Sequence, residues 1–116
     1  MKKRVLIPIP SHDFDPTESA VPRKILSDSG VEIVFATPTG RIGQCDARML
    51  SGVGLGPLSG LLAADRVGRE SYEKMSASAE FKNPIKWSDI DPEKFDGLIL
   101  PGGHAKGMRE YPSIME

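Results

Sequence analysis

The sequence predicts an α/β fold built on a parallel sheet, and three stretches carry that prediction. Residues 4–9 (RVLIPI) and 31–38 (VEIVFATP) are short apolar runs rich in β-branched side chains, each bounded by proline or glycine, which is the pattern of buried strands. A third run, residues 98–100, follows Phe95-Asp96-Gly97 and stops at Pro101-Gly102-Gly103. Between the first two lies a helical pattern, so strand, helix and strand follow within about forty residues, the length of a βαβ unit. A crossover of that kind leaves its two strands parallel.

The first strand ends at Pro10-Ser11. In residues 19–28, Ala20, Val21, Ile25 and Leu26 recur at helical spacing, and Gly30 stands where a helix stops. Pro22 decides where this helix is expected to begin. With Asp15 as N-cap and Pro16 at the first helical position, Glu18 would complete a capping box, but Pro22 would then lie in the interior, where proline costs about 3 kcal/mol or more. A start near Ser19 puts Pro22 in the first turn, where no donor is lost. That register is expected, and it leaves Glu18 just outside the helix.

Residues 40–56 hold five glycines and little periodicity, which predicts a loop or small hairpin. Residues 57–64 and 71–81 have helical composition, and Tyr72, Met75 and Ala79 form a stripe expected in the core. Residues 84–93 carry Trp87 and the turn-rich Ser-Asp-Ile-Asp-Pro. No internal repeat, low-complexity tract or linker is visible, and 116 residues predict one domain.

Composition narrows the function classes. The 39% hydrophobic and 27% charged residues are ordinary for a globular chain. The 15 Lys and Arg against 16 Asp and Glu give no basic field for nucleic acid or anionic lipid, so neither nucleic acid nor membrane is an expected partner. The apolar residues after Met-Lys-Lys-Arg are few and broken by Pro8 and Pro10, unlike a signal peptide, so the expected compartment is the cytoplasm. Cys45 is the sole cysteine, which excludes an internal disulfide and a Cys-only zinc site.

In open parallel sheets ligands bind beyond the carboxyl ends of strands, so the loops after Ile9, Pro38 and Leu100 hold the candidates. After the first strand, residues 11–18 (SHDFDPTE) offer His12, Asp13, Asp15 and Glu18. Glu18, outside the expected helix, can meet a substrate or a thiol; helix capping is the plainer role for the carboxylates of this loop. At Pro101-Gly102-Gly103, glycine permits positive φ and removes the Cβ, so backbone N–H groups can approach an anion and stabilise an oxyanion. A tight turn without ligand is the alternative. His104 is a pocket candidate or a surface histidine. His12, Asp13, Asp15 and His104 lack diagnostic metal-ligand spacing, so no metal is expected. The glycines at 52, 54 and 56 match neither the dinucleotide fingerprint nor the P-loop, and Cys45, with Arg41 and Arg48 near it in sequence, reads as an unremarkable cysteine, a reactive thiolate being the alternative.

DPTESAVP, VEIVFATPTG, DARMLSGVGLG, residues 72–81 and PIKWSDIDPEKFDGLILPGGHAKGMREY, in that order, resemble the ThiJ/PfpI superfamily over essentially the whole chain. The resemblance is closest to its class I glutamine amidotransferase-like branch with glyoxalase III and chaperone-type members. It implies a flavodoxin-like three-layer α/β sandwich, often dimeric, with a cofactor-free cysteine nucleophile on a strand-to-helix elbow. Glu18 matches the family's acidic residue that hydrogen-bonds this cysteine, and Gly102 and Gly103 match the Gly-Gly that supplies an oxyanion amide. His12, Asp15 and His104 are expected around the substrate. The family's elbow, Ala-x-Cys-His-Gly, follows the helix after Pro-Gly-Gly, and no Cys-His pair occurs in these 116 residues. The chain is therefore expected to be a single α/β domain truncated before its elbow, inactive alone, and either to pair with a second copy or a complementing C-terminal chain or to fold poorly.

By this resemblance the parent protein acts on a small reactive carbonyl such as methylglyoxal, giving lactate. An amidase or peptidase of the same superfamily and a noncatalytic stress chaperone are the other readings.

Overall fold

The computed structural model describes residues 2–45 and 66–102. Six strands and three α-helices are seen there: β1 (Arg4–Pro8), β2 (His12–Phe14), α1 (Pro16–Asp28), β3 (Glu32–Thr37), β4 (Gln44–Cys45), α2 (Arg66–Ala77), α3 (Ala79–Lys82), β5 (Ile85–Lys86) and β6 (Gly97–Leu98). The main sheet has the order β5-β3-β1-β6, and β2 and β4 form a separate pair. Every pairing is parallel, as the βαβ pattern predicts.

The register puts Leu6 opposite both Val34 and Leu98. Side chains alternate across a strand, so Ile7 and Ile9 face one side while Leu6 and Pro8 face the other. The first side holds the core, where Ile7, Ile9, Ile33 and Phe35 pack with Phe14, Ala20, Met75 and Phe81. Phe81 sits at its centre, with Phe35 edge-on at 5.4 Å, Phe14 at 6.2 Å and Tyr72 at 6.4 Å between ring centroids. Such edge-to-face pairs add to the area each ring buries. The helices α1 and α2 pack on each other, and α3 packs on β3.

The expected start of α1 is wrong. The helix begins at Pro16, with Asp15 as N-cap and Pro22 inside. Asp15 Oδ1 accepts from the N–H of Thr17 at 2.8 Å and of Glu18 at 3.0 Å, and Pro16 takes a first-turn position, where its missing donor costs nothing. These gains offset Pro22, whose ring nitrogen cannot donate to the Glu18 carbonyl one turn back. The stripe is also corrected at Ile25, which is 59% exposed. The face of α1 turned inward runs through Pro16, Ser19 and Ala20, and through Arg23, which binds Glu80 of α3 at 2.7 Å.

At the far end, the Gly30 N–H reaches the Ser27 carbonyl and Val31 the Leu26 carbonyl. Gly30 has φ +83°, the left-handed stop the sequence predicts there. The stretch 71–81 is helical but broken at Ser78, whose hydroxyl caps α3 through the Phe81 N–H. Met75 is fully buried and Tyr72 partly so, whereas Ala79, beyond the break, is exposed.

Three strands were not legible. β4 occupies what reads as loop or a small hairpin and pairs parallel with β2, β2 occupies what reads as a polar loop, and β5 part of the turn-rich stretch. The third expected strand, 98–100, is displaced to Gly97–Leu98, although Ile99 N–H still donates to the Leu6 carbonyl at 3.0 Å. The expectations for residues 46–64, including the 52–56 glycines, lie outside the described residues. No helix among the described residues is long and apolar enough to cross a membrane.

Candidate active site

Two chain corners meet at the carboxyl ends of β1 and β6. The first is the turn from β2 into α1. There Asp13 adopts φ +73°, a left-handed backbone that aspartate tolerates better than most residues, and the pairing register with β4 shifts between His12 and Phe14. Beyond this bulge Asp15 is buried. The second corner is Pro101-Gly102, where Pro101 is buried and Gly102 half-buried. The Asp15 N–H donates to the Gly102 carbonyl at 2.9 Å, which ties the corners together.

That bond decides what Glu18 can do. Glu18 stands three residues after the N-cap, where a glutamate ordinarily reaches back to the N-cap N–H. Here Gly102 already holds that N–H, so the carboxylate has no capping work at Asp15. It lies over Gly102 instead: a Cβ added at Gly102 would fall 2.9 Å from Glu18 Oε2 and 3.4 Å from Oε1. Gly102 is needed for this close approach rather than for a left-handed backbone, since its φ lies outside the positive range. Glu18 is otherwise exposed beside this corner, where a carboxylate can accept and return a proton.

The remaining candidates divide. Asp15 belongs to the same corner, but its carboxylate oxygen Oδ1 is committed to the two amides of α1. His12 is exposed on β2, with Nε2 3.8 Å from Asp13 Oδ2. Gly103 and His104 lie outside the described residues. Among the described residues no cluster of three or more His, Cys, Asp or Glu side chains could hold a metal ion.

Sequence reasoning missed one residue of this region. Gly43 is buried against the first corner, and a Cβ there would come within 2.7 Å of Ile9 Cδ1, 3.3 Å of Phe14 Cε1 and 3.3 Å of the Pro10 carbonyl. Only glycine lets the loop after β3 lie so near the end of β1, and the glycine content of residues 40–56 was the available signal. Tyr72 belongs to the expected core stripe. Its hydroxyl is held above its ordinary value of 10.0, first by burial and then by its hydrogen bond to and electrostatic interaction with Cys45. The half-buried Cys45 is thus the hydrogen-bond partner of Tyr72.

The chain matches the family described as ThiJ/PfpI family-like over residues 9–114. It is 33% identical over 115 residues to the uncharacterized protein C14C4.04 of Schizosaccharomyces pombe, an alignment that takes in 97% of this chain and 39% of that protein. A crystallographic structure of APC35852 is similar with a TM-score of 0.59 and 23% identity, over 90% of this chain and 43% of that one; it supports the flavodoxin-like α/β fold. The chain therefore spans about two fifths of the length of the relatives it matches, and it corresponds to their N-terminal part. With the parallel sheet and with a family match that takes in β2 through β6, this chain belongs to the ThiJ/PfpI-like family.

Proposed function

We propose that the protein of which this chain is the N-terminal part is a cofactor-free thiol enzyme converting a small reactive carbonyl, methylglyoxal, to lactate. The observation that supports this reading is the Glu18 carboxylate lying over the Cα of Gly102, with the two corners held by the Asp15–Gly102 hydrogen bond. In the reaction a cysteine thiolate from the remainder of the protein adds to the aldehyde carbon, and the carbonyl oxygen takes a proton to give a hemithioacetal. Glu18 removes the proton from the former aldehyde carbon and returns it to the neighbouring carbon while the hemithioacetal hydroxyl proton passes to the ketone oxygen, so the ketone is reduced as the aldehyde is oxidised to a thioester. Water then releases lactate and the thiol. Backbone amides at Gly102 and Gly103 stabilise the oxyanions.

Amide hydrolysis would use the same carboxylate and amides, so the assay includes both substrates. The chain is joined in one polypeptide to the C-terminal part of the fission-yeast relative and given methylglyoxal or a panel of amides. Lactate is the expected product, and Glu18→Gln is expected to lower its rate by about 10²–10⁴, the range for a positioned acid–base group. Ammonia or amine release without lactate would replace this reading with a hydrolase. An undiminished rate in Glu18→Gln would remove Glu18 from the chemistry.

A further inference from the structure

Pro22 lies inside α1, where a helix ordinarily excludes proline. Two consequences fall on one residue. Proline has no N–H, so the Glu18 carbonyl four positions back lacks its donor in the helix ladder, and the pyrrolidine ring crowds that same carbonyl. Glu18 is also the residue whose carboxylate lies over Gly102.

The turn that carries Glu18 is held from the other side. Its N–H donates to Asp15 Oδ1 at 3.0 Å. The next residue, Ser19, is buried, and its hydroxyl donates to the Asp15 carbonyl at 2.9 Å and to the Pro16 carbonyl at 3.1 Å. Beside these, the ladder bond from the Ser19 N–H to the Asp15 carbonyl is long, at 3.3 Å. A serine that bonds back to the carbonyl four residues earlier tends to bend its helix, and so does an interior proline. Both devices lie within about one turn of Glu18. The bonds on its N-terminal side attach this turn to Asp15, which itself binds Gly102, while the proline releases the turn from the rest of α1. Packing gives Pro22 little reason to be there: it is only half-buried, and the buried residues of α1 are Pro16, Ser19 and Ala20.

We propose that Pro22 is a positioning residue for Glu18. By withholding a donor from the Glu18 carbonyl, it keeps the first turn of α1 on the Asp15 corner with the carboxylate over Gly102. Helix stability is given up for the placement of one side chain, as happens at functional positions. The effect on rate rests on the proposed acid–base role of Glu18; the effect on placement does not.

The test uses the joined protein described above and reads stability, rate and placement separately. Pro22→Ala restores the N–H and is expected to raise the melting temperature by several degrees while lowering lactate formation at least tenfold, in kcat rather than KM, as displacement of a reacting group does. Pro22→Gly restores the N–H without the helix propensity of alanine, so it should lose the same rate while melting below Pro22→Ala. In the Glu18→Gln background, Pro22→Ala should lower the rate no further, because it acts through the carboxylate. Placement is read in protein made with isotope-labelled glycine. The Gly102 amide resonance, assigned with Gly102→Ala, should move as pH is taken through the carboxylate range; that movement should vanish in Glu18→Gln and be at least halved in Pro22→Ala. An undiminished rate in Glu18→Gln would remove the proposed base, and the Gly102 resonance would then decide by itself whether Pro22 places the carboxylate. The proposal is overturned by a Gly102 movement that Pro22→Ala leaves intact, by a rate that it leaves intact where Glu18→Gln is slow, by rate and melting temperature falling together, or by a further loss in the Glu18→Gln background.

Discussion

The Glu18 carboxylate of α1 occupies the space that a side chain at Gly102 would need, 84 positions along the chain (102 − 18), with Oε2 2.9 Å from where a Cβ would be. The atom that would give way is the far end of a flexible, exposed side chain, not backbone. Gly102→Ala is therefore expected to change stability by no more than about 0.5–1 kcal/mol, yet to push Glu18 out of place. In the joined protein described above it should lower lactate formation at least tenfold. A parallel loss of melting temperature and rate would mean that the glycine serves the fold.

Asp15 carries the opposite expectation, because its carboxylate holds two orphan amides of α1. Removing an N-cap costs about 0.5–2 kcal/mol, and burial places Asp15→Ala at the upper end. Asp15→Asn, which keeps an acceptor oxygen, should recover more than half of that loss in urea unfolding.

Gly43→Ala would set a methyl group 2.7 Å from Ile9 Cδ1 and near Phe14 and the Pro10 carbonyl. Overpacking of this kind costs about 1–3 kcal/mol. Since backbone lies among the neighbours, relief requires the loop to move away from β1, and the denaturation midpoint should fall accordingly. Ile9→Val in the Gly43→Ala background should restore part of it.

Tyr72 predicts an alkaline limit. Burial and the Cys45 contact raise its hydroxyl above 10.0, so the folded chain keeps a proton that the unfolded chain loses near pH 10. Its contribution is complete below pH 10 and declines as pH rises further through the folded value. The slope is at most about 1.4 kcal/mol per pH unit for one proton, and less here because the ring is only half-buried. Lysines titrate in the same range, so the quantity to measure is the difference between wild type and Tyr72→Phe. That difference should shrink as pH rises above 10.

The residues show where sequence reasoning stops. β1 and β3 were legible because their apolar runs are long enough to declare burial, and the parallel pairing followed from the helix between them. The start of α1 was misread because an interior proline was weighed against nothing. In the folded chain it is offset by the Asp15 cap and by the bond from Asp15 to Gly102, and the latter does not exist in the local sequence. β2, β4 and β5 are two or three residues long, too short for any alternation, and exist because neighbouring strands supply hydrogen-bond partners.

By itself the sequence determined the α/β class, the family and the two corners at which chemistry could occur, since apolar periodicity, proline and glycine act locally. The tertiary structure alone decided that the corners touch. Gly102 takes the Asp15 amide that would otherwise have engaged Glu18 in capping, and so leaves that carboxylate exposed over a glycine. A competition among hydrogen-bond partners far apart in the chain is settled only once the sheet has brought them together.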